Sequence, residues 1–239
     1  MSIAETRKPA PANRPSPSIP KLRHGERLSR NEFERRYANM PDVKAELLDG
    51  VVYIMSSPVS VDHGSPNGKL VSWLGYYEAR TPGTEMFDNT TNRLSDETEL
   101  QPDGILRILE SHGGKSFVDS DRFLSGSPEL VGEVARSSKS YDLNVKKPIY
   151  KRDGIREFIL WRVEDNAIDW FVLRNNDYEL LVPDASGIIH SETFPGLWLD
   201  VTAMIRRDMG RVFDVLQMGI ASSEHAAFGE RLRKNAEQG

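Results

Sequence analysis

Residues 128–150 read PELVGEVARSSKSYDLNVKKPIY, and the reading of this stretch decides the fold. Pro128 opens a strand-like run, ELVGEVA, with one acid, Glu133, at its centre. A polar turn follows, then a segment carrying Lys146 and Lys147. Side chains of a strand alternate between its two faces. Leu130, Gly132 and Val134 therefore share one face, and Val131, Glu133 and Ala135 the other. Both faces are largely apolar, which marks an interior strand. An ionised Glu133 there carries a large desolvation cost unless a cation or a hydrogen-bond donor meets it.

Working outward, LSRNEFERRYANM (28–40) predicts a helix capped by Ser29 or Asn31. Asp49-Gly50 marks a tight hairpin turn between two strands. An amphipathic helix follows, with Leu70, Trp73, Leu74 and Tyr77 on one face. From about 85 to 135 the pattern is β, and 140–152 is helix-like. Two strands, REFILWRVE and AIDWFVLR, come next, and Ile168, Trp170 and Val172 alternate as on a half-buried strand. The C-terminal AAFGERLRKNAEQG reads as a polar helix that frays. No internal repeat is visible. The order predicts one α/β domain with a central mixed β-sheet flanked by helices. Its expected bounds are 26–205, after a disordered Pro-rich tail over 1–25 and before a C-terminal helical extension over 206–239.

Composition narrows the chemistry. The 239 residues contain no cysteine, which removes disulfides, thiolate catalysis and cysteine zinc sites and suits a reducing cytoplasm. The five histidines are scattered, without the spacing of a histidine zinc site. The net charge of −5 speaks against a nonspecific nucleic-acid coat, so any nucleic-acid contact is a local patch. No apolar stretch approaches the length of a membrane helix, so no membrane partner is expected.

Four features can converge: Glu46 at the start of a strand, Asp103 after Pro102, Glu133, and Lys146 or Lys147. An Asp103–Glu133 pair repels itself unless a divalent ion neutralises it. Oxygen ligands alone suit a hard cation, Mg²⁺ or Mn²⁺. A lysine beside such an ion serves phosphoryl chemistry, where charge accumulates in the transition state. The same residues admit a plainer reading, in which Glu133 pairs with Arg136, Lys139 or Arg152 and Pro102-Asp103 is a turn.

The segments AELLDG, QPDGILRI, ELVGEVARSS, YDLNVKKPIY and DGIREFILWRV occur in this order with suitable spacing. Together they resemble the Uma-two family of restriction-endonuclease-like proteins, within the PD-(D/E)xK nuclease superfamily. The resemblance runs from about Glu32 to Val201. It implies a restriction-endonuclease-like core whose acids hold Mg²⁺ or Mn²⁺: Glu46 as the early glutamate, Asp103 as the PD aspartate and Glu133 as the acid of (D/E)xK. The lysine departs from the superfamily pattern, since Ala135 stands where it belongs. The resemblance implies that Lys146, from the next helix, replaces it. On a helix Asp142, Lys146 and Tyr150 share a face, with Asp142 as N-cap and Tyr150 packed beneath Lys146. Pro148 is tolerated if the helix starts near Asn144 or Val145, while a kink would exchange the roles of Lys146 and Lys147. His63 matches a histidine of the family, with a phosphate contact or a helix-start hydrogen bond as its roles.

The implied activity is metal-dependent hydrolysis of DNA phosphodiester bonds by Glu46, Asp103, Glu133 and Lys146, with DNA as partner and a homodimer as an arrangement that cuts both strands. The eight Lys and Arg residues between Arg136 and Arg162 offer a local phosphate patch. The alternative is a catalytically inactive nuclease-like module that binds nucleic acid or mediates assembly.

Overall fold

The structure is a computed structural model and describes residues 19–55, 60–136 and 138–238. Most of the tail expected over 1–25 thus lies outside the described residues. Within its remainder, Leu22 is buried against the cluster of Phe33, Ala45, Leu47 and Val52.

Short strands form two six-stranded mixed sheets and a two-stranded ribbon. The first sheet runs Val51–Ile54, Ala45–Leu48, Thr98–Leu100, Asn92–Ser95, Leu124–Ser125, Phe117–Val118. The second runs Asp177–Leu180, Ala167–Arg174, Glu157–Arg162, Leu130–Ala135, Gly104–Ile108, Thr84–Asp88. The sequence predicts one mixed sheet, and the second sheet is it, with Leu130–Ala135 as an interior strand. The first sheet is an addition, assembled from segments that pair across 45 to 125. Asp49 and Gly50 both adopt left-handed conformations and turn the hairpin between Leu48 and Val51, as their sequence predicts.

Strand parity sets the core. Leu130 and Val134 join the cluster built on Leu70, Trp73, Leu74 and Tyr77, the buried face of helix Val61–Glu78. Val131 and Ala135 join the opposite cluster, with Ile149, Tyr150, Phe158 and Leu160. Glu133 shares that second face yet is buried.

Two glycines seat the long helix. Gly104 and Gly132 are cross-strand partners beside Asp103 and Glu133. A Cβ on Gly132 would stand 2.9 Å from Leu70 Cδ2, and one on Gly104 3.2 Å from Leu74 Cδ1. Only a floor without side chains lets the helix lie this close.

Leu130–Ala135 and Glu157–Arg162 pair in parallel, so the chain between them must cross over. The crossover is Lys139–Tyr141, a π-helical turn over Asp142–Lys146, and helix Lys147–Arg152. Pro148 sits in the first turn of that last helix, where a missing N–H costs little. Asp142 does not cap a helix N-terminus, contrary to expectation. It is buried inside the π-turn, where its Oδ2 accepts from the Ser138 hydroxyl at 2.7 Å.

Helices Met209–Ile220 and Ser223–Gln238, in the extension expected beyond 205, pack on the core through Val212, Leu216, Phe228 and Leu232. The terminal helix therefore does not fray as its polar sequence suggests. Its Phe228 and Leu232 are buried, and buried His225 meets Thr81 at 2.9 Å.

Candidate active site

Glu46, Asp103, Glu133 and Lys146 line one cleft of about 340 Å³ at the seam between the two sheets. Glu46 comes from the first sheet, Glu133 from the second, Asp103 from the bend just before strand Gly104–Ile108 of the second, and Lys146 from the crossover. All four residues are at most 5% exposed.

Lys146 Nζ donates to Glu46 Oε1 at 3.1 Å and to Glu133 Oε1 at 2.9 Å. An ammonium has three donors, so one N–H remains for the cleft. Lys147 turns elsewhere, with Nζ 3.6 Å from the centre of the Phe171 ring. Successive residues of a helix point about 100° apart, which separates the two lysines. A π-helix carries one residue more than an α-helical path, and here both Asp142 and Lys146 end up buried while Asn144 stays exposed.

The carboxylates are not equivalent. Both Glu46 oxygens have protein donors: Oε1 accepts from the Gln101 N–H and Lys146, and Oε2 from the Tyr141 hydroxyl. Glu133 Oε1 accepts from Lys146 and, at 2.6 Å, from the Tyr150 hydroxyl. Asp103 Oδ2 accepts from the Val134 N–H at 2.8 Å and faces His63 Nε2 at 3.2 Å. Glu133 Oε2 and Asp103 Oδ1 accept no hydrogen bond among the described residues, which leaves these oxygens available to a hard cation. No group of three or more His, Cys, Asp or Glu side chains among the described residues is disposed to hold a metal ion.

Four acids, Glu46, Asp103, Glu133 and Asp142, line the cleft together with Lys44, Arg136, Lys146 and His63. Burial pushes the Glu133 carboxyl up to about 8, with Asp142, Asp103 and Glu46 adding to the push against the pull of Lys146. Burial likewise raises Asp142. Burial acts to lower Lys146, but Glu133, Glu46 and Asp142 outweigh it and hold the ammonium above its ordinary value. Asp103 behaves oppositely to the other acids. Burial pushes it up, and the contacts with His63 and the Val134 N–H overcome that and bring it below its ordinary value.

Most of the basic run between Arg136 and Arg162 is engaged by acids rather than free as its sequence suggests. Arg136 is 3.8 Å from Asp62 and from Glu164, Lys139 pairs with Asp165, Lys151 with Asp177, Arg152 with Asp49 and Asp153, and Arg162 with Asp165 and Asp169. Sequence reasoning gave Tyr150 a packing role only and did not single out Tyr141. Both donate to the buried acids, and their position five residues before and four after Lys146 was the available signal.

A mixed α/β fold with acids from neighbouring strands meeting a lysine on the crossover defines the class of this chain. The family model described as "Uma2: Putative restriction endonuclease" matches residues 30–202, and the chain belongs to that family. Among solved structures, a crystal structure of a putative nuclease from Anabaena variabilis is similar at 14% identity, with a TM-score of 0.49, over 72% of this chain and 97% of that one. No curated protein matches the chain. Among the described residues no helix is long and apolar enough to cross a membrane.

Proposed function

We propose that the chain is a metal-dependent endonuclease that hydrolyses DNA phosphodiester bonds. The observation that carries this reading is the buried Lys146, held by Glu46 and Glu133 beside Asp103 in an open cleft. Asp103 and Glu133 would hold Mg²⁺ or Mn²⁺, through oxygens that no protein donor engages. The donor set fits such an ion: it is all oxygen, with one oxygen of each of Asp103 and Glu133 accepting no hydrogen bond among the described residues. When bound, the ion supplies positive charge to the phosphate oxygens and acidifies the attacking water.

The chain's own groups then divide the work. Glu46, with both oxygens engaged, serves here to fix Lys146 rather than to bind the ion directly. Tyr150 holds Glu133 Oε1, which leaves Oε2 toward the ion. The remaining N–H of Lys146 donates to the water or to a phosphate oxygen as charge builds in the transition state. Family membership supports DNA as the substrate, and a dimer would be the arrangement that cuts both strands.

A second reading has its own support. The lack, among the described residues, of three side chains disposed to hold a metal ion, and the pairing of most of the basic run, favour a nuclease-like binding or assembly module without turnover. One experiment separates the two. Plasmid, single-stranded DNA and RNA are incubated with the protein in Mg²⁺ or Mn²⁺, alongside Asp103→Asn and Glu133→Gln. Metal-dependent cleavage of DNA that both substitutions abolish supports the enzyme. Cleavage undiminished in both rejects it, and nucleic-acid binding without cleavage selects the module.

A further inference from the structure

His63 stands on the first turn of helix Val61–Glu78, four residues before Asn67 on the same side of the cleft. The helix reaches this position because Gly104 and Gly132 let it down onto the strands that carry Asp103 and Glu133. His63 Nε2 lies 3.2 Å from Asp103 Oδ2, and the Val134 N–H reaches the same oxygen from the neighbouring strand at 2.8 Å.

The terminal torsion of an aspartate is broad, so a carboxylate with one anchor swings. Asp103 is flanked by Pro102 and Gly104 and gets no side-chain support from Gly104. Two donors on Oδ2, from two different elements, fix the plane of the group and single out Oδ1. Among the described residues His63 Nδ1 is buried and has no partner, so the contact of Nε2 with Asp103 is the ring's one polar interaction there. The fold tolerates that cost at the one histidine that touches Asp103.

We propose that His63 is a positioning residue, which holds Asp103 Oδ2 against the Val134 amide so that Oδ1 is presented to a divalent cation. The inference rests on the cation reading of the cleft. Hydrogen-bond partners of metal ligands fix ligand orientation, and their loss costs about 10–100-fold in metal affinity.

The test is Mn²⁺ titration by calorimetry on the full chain, with metal-free thermal melts of each variant. Glutamine places its amide nitrogen near the position of Nε2, whereas asparagine is too short to reach Asp103. His63→Asn is expected to weaken Mn²⁺ by about 10–100-fold with an unchanged melt. His63→Gln is expected to bind like the wild type. Wild-type affinity in His63→Asn overturns the proposal, as does equal loss in both variants with lowered melting, which is the mark of a structural role. Asp103→Asn is the control for the site itself. If it binds Mn²⁺ as the wild type does, or if the wild type binds none, the cation reading fails and the role of His63 falls with it. Loss in Asp103→Asn alone leaves the site standing and rejects His63.

Discussion

Lys146 and Glu133 form a buried ion pair at 2.9 Å, thirteen residues apart in sequence and on different elements. The same lysine reaches Glu46, one hundred residues earlier. Removing the cation strands two buried carboxylates. Lys146→Met is therefore expected to destabilise the fold by about 3–5 kcal/mol in urea unfolding and to abolish cleavage. Adding Glu46→Gln and Glu133→Gln to it should return most of the stability and none of the activity. A single variant as stable as the wild type would contradict the buried pair.

The π-turn gives a sharper test of position. Deleting exposed Asn144 removes the extra residue and converts the turn to an α-helical path. Lys146 then stands three residues after Asp142 instead of four, on a tighter turn, which changes its reach to Glu46 and Glu133. The expected outcome is a folded protein, by circular dichroism, with cleavage reduced below detection. Retained activity would show that the lysine's register is not set by this turn.

Gly132→Ala tests the helix seat. The new Cβ would meet Leu70 Cδ2 at 2.9 Å. Overpacking of this kind costs about 1–3 kcal/mol. The helix that carries His63 has to lift, so Mn²⁺ affinity should fall along with stability. Calorimetry and chemical unfolding on the same variant check both.

A pH effect arises away from the cleft. Burial lifts the Glu99 carboxyl to about 7, and neighbouring Glu34 adds to the lift against Arg93, 3.5 Å away. Because the folded value lies above the unfolded one, the contribution of this group is full below the ordinary carboxylate range and is lost as pH rises through about 7. Metal-free melting should thus fall between about pH 5 and about pH 8, and Glu99→Gln should flatten part of that fall. An unchanged slope in the variant would locate the titration elsewhere.

Local rules carried much of the fold. The Asp49-Gly50 turn, the Leu70–Tyr77 helix face and the parity of 130–135 are each decided within a few residues by turn chemistry or periodicity. The types of the four cleft residues were also visible, because an acid in an apolar strand and a lysine out of place are local anomalies. What escaped depends on distant partners. The first sheet pairs two- to four-residue strands whose neighbours are up to about 50 positions away, too short to show a period. Six of the eight lysines and arginines of 136–162 are matched by acids from 46 to 177, so most of their charge looked free when it was not. Glu157 is a like case: its buried carboxylate is satisfied by Ser191, Trp170 and the Glu192 and Thr193 amides, none of them near it in the chain. The π-turn has no composition signal at all.

Glu46 sits in one sheet, Glu133 in the other, and Lys146 bolts them together. Whatever reaction the cleft supports, its charged groups double as the fastener of the joint in which they lie. Heating that parts the sheets disarms the cleft in the same event, so inactivation and opening of the seam share one transition. The second sheet, cut free of the first, keeps Asp103 and Glu133 but loses the Glu46 that fixes Lys146.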